Sequence, residues 1–422
     1  MRDGGRLAAA IAVLSDMEER HKPARMALRD WGQSARYAGA KDRAFVSGLI
    51  LDVLRRRSSL AWRMDDPGVR AGTLGALALI WNWPVDRIAA AAAEDHGPGA
   101  LSEAEAERLA APIGLDLAPD PVRGDYPAWL DPQMARVFGE GRAAEGEALA
   151  ARAPVDLRVN TLKTDVARTL KALAPFHARQ PGLVDTALRI DPPAASERAA
   201  PVEAAPEFEK GWFEVQDLGS QVAAAIAGEI KGRQVLDYCA GGGGKTLALA
   251  SAMGNSGQLY AYDADAWRLT DTVRRAQRAG VRNLQVRSPI HPDALAGLEG
   301  KMDLVFVDAP CTGSGVWRRH PDAKWRLTPE QLARRMAEQD AVLAGAAPYV
   351  KPGGRLIYVT CSLFAEENED RVAAFLAGRP DFTIEPAGGV ADSFLTGEGF
   401  LRLTPLSAET DGFFVAALRR EA

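Results

Sequence analysis

Three cysteines, Cys239, Cys311 and Cys361, carry the clearest chemistry in this 422-residue chain. Their odd number and the absence of a CxxC pair suit neither a disulfide framework nor a zinc site, and point to a reducing compartment. Two of them follow short apolar runs that read as strands: Asp303–Val307 leads into Asp308-Ala-Pro-Cys311, and Arg355–Thr360 into Cys361-Ser362. A lone cysteine is commonly just a small buried apolar side chain. Two of them at the carboxyl ends of strands, where open α/β sheets bind ligands, are candidates for nucleophilic chemistry. A further run, Gln234–Tyr238, opens through Cys239 and Ala240 into Gly241, Gly242, Gly243, Gly244 and Lys245. Glycines there let backbone N–H groups approach a ligand closely. Spacing excludes a P-loop, which needs Gly where Cys239 stands, and a GxGxxG match from Gly241, which needs Gly at Thr246. A tight strand-to-helix turn is the plain alternative, although four glycines cost backbone entropy that a simple turn does not require. Asp263 ends the run Gln258–Tyr262, with Asp265 close behind. An acid in that position grips a ribose diol, or else caps the next helix.

These residues meet only if their strands lie side by side. Apolar runs at Gln234–Tyr238, Gln258–Tyr262, Asn283–Val286, Asp303–Val307 and Arg355–Thr360 alternate with helical stretches, which predicts a parallel, doubly wound sheet over residues 212–422. Thr328, Pro329 and Gln331 form a capping box for one of the intervening helices. Ahead of it, Val155–Asn160 alternates like a strand and Thr164–Leu173 reads as a helix, giving a small α+β domain over 151–211. Residues 1–150 carry 3.6-residue apolar spacing and form an all-α domain. The length accommodates three such domains. Hydrophobic residues make up 47% and charged residues 25%, values of an ordinary globular protein, and no stretch approaches a membrane span or a signal peptide. The expected setting is cytoplasmic, with no membrane and no metal. The net charge of -5 gives no hint of a polyanionic partner. Residues 1–70, however, hold 14 Lys plus Arg against 9 Asp plus Glu, whereas 94–147 hold 4 against 12. A second basic run, Trp317 to Arg326, follows Cys311 and contains Arg318, Arg319, Lys324 and two tryptophans. It could hold phosphates and stack a base, or be a solvated loop anchored by its tryptophans in a core.

Several motifs together resemble the Nol/Nop/Sun group of RNA cytosine-5 methyltransferases over residues 150–420. They are Arg158-Val-Asn160, Gln216-Asp217, Asp237-Tyr-Cys-Ala240 with Gly243-Gly-Lys-Thr246, Asp308-Ala-Pro-Cys311, Thr360-Cys-Ser362 with Glu366-Glu-Asn368, and Asp411-Gly-Phe-Phe414. Arg36 to Arg43, with Val53-Leu-Arg55, looks more loosely like the NusB-type RNA-binding domain of the bacterial 16S rRNA methyltransferase B branch.

The resemblance implies a Rossmann-like domain that binds S-adenosyl-L-methionine through Cys239 to Lys245, Asp263 and Asp308. Cytosine C5 is a poor nucleophile until a thiolate adds at C6. The resemblance gives that attack to Cys361, product release to Cys311, and contact with the N3 and N4 edge of the base to Asp308. Lys245 either places positive charge at the reacting centre or braces the loop. The target base must be single-stranded or flipped. Two departures stand out: Gly241 and Gly242 replace the family's Ala and Pro, and the acid expected beside the adenine near Ile290 is missing, leaving Asp293 or a backbone group. The expected partner is RNA, 16S rRNA or a ribosomal assembly particle, met by a monomer. The rival readings are the same chemistry on tRNA or another rRNA, and a noncatalytic RNA-binding assembly factor.

Overall fold

Apolar residues recurring every third or fourth position put Leu7, Ala10, Leu14 and Met17 on one face of the helix Asp3–Arg20. That face packs against Phe45, Leu49 and Ile50 of the helix Ala40–Arg55 and against Leu74 and Leu77 of Val69–Leu79. The computed structural model describes residues 1–195, 197 and 201–422, so residues 196 and 198–200 of the Pro- and Ala-rich stretch lie outside the described residues. The chain divides into two compact units. The first is the all-α part, Met1–Arg152, joined by the described residues of 192–200 and by Trp317–Leu327; the second comprises the rest.

The Trp317–Leu327 segment corrects the expectation of a base-stacking, phosphate-holding loop. Its helix Pro321–Arg326 packs within the first unit, and Trp317 and Lys324 are each 1% exposed. Lys324 Nζ donates to the backbone carbonyls of Arg55, at 2.9 Å, and of Asp125. Trp325 Nε1 donates to the Leu54 carbonyl at 2.6 Å. Burial pulls the Lys324 pKa down to about 7, with neighbouring Asp125 opposing the shift. The tryptophans fill a core, and of the basic side chains in the run Arg318 and Lys324 are buried, Arg319 is half-buried, and His320 and Arg326 are exposed.

In the second unit a three-stranded antiparallel sheet, ordered β2-β1-β3, contains β1 (Val155–Val159), β2 (Ala187–Ile190) and β3 (Phe213–Val215). Buried polar residues of the Arg158–Asn160 motif tie β1 to the segments flanking β3 and to the end of the helix Ala266–Ala279. Asn160 Nδ2 donates to the carbonyls of Gly211 and Ala279, both at 2.8 Å, and Arg158 Nε donates to Gln216 at 2.7 Å.

The larger sheet holds β4 (Gln234–Asp237), β5 (Gln258–Tyr262), β6 (Leu284–Arg287), β7 (Met302–Asp308), β8 (Val350–Thr360), β9 (Phe382–Glu385), β10 (Leu401–Leu403) and β11 (Phe413–Arg420). Strands β8-β7-β4-β5-β6 run parallel in that spatial order, so their carboxyl ends share one edge. The sheet is mixed rather than wholly parallel, because β11 returns antiparallel beside β8 and pairs with β9 and β10. Phe413–Leu418 are all buried, as an interior strand requires. The capping box forms as read: Thr328 and Gln331 exchange hydrogen bonds at the start of the helix Pro329–Ala346.

Candidate active site

Two adjacent parallel strands, β7 and β8, deliver the loops that carry Cys311 and Cys361, and the two sulfurs lie 3.3 Å apart. A buried carboxylate keeps them so. Glu367 accepts from Thr312 N at 2.8 Å, Thr312 Oγ1 at 2.5 Å, Gln339 Nε2 at 3.0 Å and Ser362 Oγ, tying the Cys311 loop to the segment after Cys361. Gly315 N donates to the Cys361 carbonyl at 2.9 Å, and Leu363 N donates to Ser314 Oγ at 2.8 Å. Hydrogen bonding to Cys361 and burial push the Cys311 thiol pKa well above its ordinary value. The shift favours the protonated form of Cys311, whose S–H lies within hydrogen-bonding reach of the Cys361 sulfur.

Lys245, in the first turn of the helix Gly244–Met253, donates to Asp308 Oδ2 at 2.8 Å. Burial disfavours its charge, but Asp308, Cys361 and Asp237 outweigh that and hold its pKa above the ordinary value. A fixed cation thus stands within electrostatic reach of the Cys361 sulfur.

The glycine loop has two kinds of glycine. Gly241 and Gly243 have φ of +53° and +83°, the left-handed region that disfavours other residues. A Cβ on Gly241 would meet the Arg268 guanidinium at 2.8 Å, and one on Gly243 would meet Thr272 Oγ1 at 2.9 Å. At Gly242 and Gly244, by contrast, a Cβ would find nothing nearer than 3.6 and 4.0 Å. Those two leave open the space a ligand backbone needs. Asp263 is buried, accepting from Gly241 N at 2.8 Å and Asp265 N at 2.9 Å, with Arg268 3.5 Å away. Each carboxylate oxygen has a second lone pair for another donor. Cys239 has its thiol pKa raised, by burial first and then by Asp237, Asp263 and Asp308, so it stays neutral. Ile290 is 75% exposed and Asp293 lies exposed on the same loop after β6.

Two functional groups escaped the sequence reading. Glu367 stood in a quoted motif without a role; the signal was a carboxylate placed beside Thr and Ser positions that can only be satisfied together. Asp237, which ends β4, is fully buried, accepts from Thr246 Oγ1 at 2.6 Å, and has its other oxygen without a partner. Burial raises its pKa to about 7, Asp308 and Asp263 adding to the rise while Thr246 and Lys245 oppose it. An unpartnered carboxylate oxygen at the base of a glycine loop suits a cationic ligand group. Among the described residues no cluster of His, Cys, Asp and Glu could hold a metal ion, and no helix is long and apolar enough to cross a membrane.

Comparison with known proteins adds four findings. A family model described as 16S rRNA methyltransferase RsmB/F matches residues 226–419. Ribosomal RNA small subunit methyltransferase B of Citrobacter koseri is 34% identical over 306 residues, covering 72% of this chain and 68% of that protein. Its counterpart from Salmonella newport is 30% identical over 404 residues, 90% of each chain. Among solved structures, a methyltransferase homologue from Pyrococcus horikoshii superposes with a TM-score of 0.60 at 28% identity, covering 73% of this chain and all of that one.

Proposed function

The chain belongs to the RsmB/F family of 16S rRNA methyltransferases, and from that membership we propose an S-adenosylmethionine-dependent enzyme that methylates C5 of a cytosine in 16S rRNA through a Cys361 adduct. The observation that carries this reading is the sulfur pair at 3.3 Å beside the Lys245–Asp308 ion pair.

Cys361 Sγ adds to C6 of the flipped base, moving the ring electrons so that C5 becomes nucleophilic enough to take a methyl group. The cofactor, when bound, supplies that methyl on a sulfonium. Asp237, with its spare oxygen, and Asp263 at the end of β5 are the residues fitted to hold the cofactor's ammonium and ribose, and Gly242 and Gly244 leave room for it. Lys245 places positive charge where it favours the Cys361 thiolate that attacks C6, and the Cys311 S–H offers a proton to that sulfur as it is expelled. A general base takes the C5 proton, the C5–H electrons restore the C5–C6 double bond, and the C6–S pair returns to the Cys361 sulfur, with Cys311 assisting release. Asp308, one-third exposed at the rim, meets the N3 and N4 edge of the base.

The helical residues 1–150 serve as a NusB-like RNA-binding domain and 151–211 as a second RNA platform ahead of the catalytic residues 212–422. The protein works as a cytoplasmic monomer. The test is methyl transfer from labelled cofactor to 16S rRNA and to tRNA, mapped by bisulfite sequencing of RNA from cells with and without the protein. One 16S cytosine that loses its mark supports the reading. A mark lost only from tRNA reassigns the substrate, and no mark lost anywhere favours the noncatalytic assembly factor.

A further inference from the structure

Four consecutive glycines are a poor way to hold a cofactor loop still, because each surrenders more backbone freedom on ordering than any other residue. Here the helix Ala266–Ala279 supplies the missing stiffness from outside the loop. Thr272 Oγ1 donates to the Gly241 carbonyl at 2.8 Å, and Arg275 Nη1 donates to the Gly242 carbonyl at 2.6 Å. With Asp263 on the Gly241 N–H, both polar groups of Gly241 are claimed by side chains. Residues 272 and 275 are one turn apart and share a helix face. Arg275 is itself fixed: its Nη2 and Nε reach Glu214 Oε2 at 2.9 and 3.2 Å, while Arg278 takes Oε1 at 2.5 Å. Glu214 lies on β3 of the three-stranded sheet and is 3% exposed.

We propose that Thr272 and Arg275 are positioning residues that preorganise the glycine loop for the cofactor, with Glu214 anchoring Arg275 to the smaller sheet. The inference rests on the methyltransferase reading of that loop and deepens it. The brace acts on the free protein by sparing the cofactor the entropy of ordering the loop. Its loss therefore appears in affinity rather than in the chemical step.

The test measures S-adenosylhomocysteine binding by titration calorimetry with the full chain, and amide exchange over residues 240–244. Thr272→Val and Arg275→Met should each weaken binding about tenfold, the worth of one well-placed hydrogen bond. Both should quicken exchange in the loop and raise KM for the cofactor with kcat unchanged. Thr272→Ser restores the hydroxyl and should bind within about twofold of the parent protein. Glu214→Gln should fall between. Arg275, 23% exposed, carries the test should the wholly buried Thr272→Val variant not fold. Parent-like affinity in Arg275→Met, or equal losses in Thr272→Val and Thr272→Ser, overturns the brace while leaving the methyltransferase reading intact. A parent protein that binds no S-adenosylhomocysteine overturns that reading and the brace with it.

Discussion

The buried charges of the Trp317–Leu327 segment and those around the glycine loop use the same residue types to opposite ends. In the first, the Lys324 ammonium sits among backbone carbonyls of Arg55 and Asp125, and the Asp125 carboxylate takes Ser59 N at 2.8 Å and Ser59 Oγ at 2.7 Å. Every one of those atoms has its partner within the helical unit. Around the loop, Asp237 keeps an oxygen without one, Asp308 is partly open, and two sulfurs face each other across 3.3 Å. Burial and charge are common to both regions; the second adds an open carboxylate oxygen at the foot of the glycine loop. Satisfied polar groups specify a core, and unsatisfied ones await a ligand.

The comparison breaks or sharpens under substitution, the largest effect first. Cys361→Ala should remove methyl transfer by roughly a thousandfold or more while leaving the melting curve in place, as loss of a nucleophile does. Lys324→Met should do the reverse: about 3 kcal/mol of stability lost, because a buried partner is stranded, with kcat per folded molecule unchanged. If Lys324→Met instead weakened RNA binding in a fully stable protein, the segment would be a contact surface after all. Asp237→Asn should stabilise the free protein by about 1–3 kcal/mol, by removing an isolated buried charge, and weaken S-adenosylhomocysteine about tenfold. Calorimetry of both variants reads both halves of that trade.

The smallest effects are slopes with pH. Lys324 falls to about 7 from 10.5, so between those values the unfolded chain holds a proton that the folded one lacks, and the helical unit gains stability as pH rises. Asp237 rises to about 7 from 3.8, so the folded chain holds the extra proton in that window and its unit loses stability as pH rises. Amide exchange resolved by region should show a positive slope above pH 7 in Ala40–Arg55, absent in Lys324→Met. It should show a negative slope below pH 7 in Gly244–Met253, absent in Asp237→Asn.

The five parallel strands were legible because each is a short apolar run ending in a distinctive residue, and the loops they deliver carry the chemistry. The antiparallel return of β11 was not, since Phe413–Leu418 reads as a buried strand of either direction. The basic run after Cys311 misled because Lys and Trp have one composition in a core and on a surface, and only the carbonyls of Arg55 and Asp125, far away in sequence, decide between them. Glu367 could be seen as a motif but not as a clasp, because its four donors come from three separate segments.

The most direct test of the account is to incubate the protein with labelled cofactor and 16S rRNA containing 5-fluorocytidine, whose C5 fluorine blocks the final elimination. A denaturation-resistant protein–RNA adduct should form, map to Cys361, vanish in Cys361→Ala and persist in Cys311→Ala. An adduct mapped to Cys311, or methylation proceeding with no adduct at all, would contradict the assignment of Cys361 as the nucleophile.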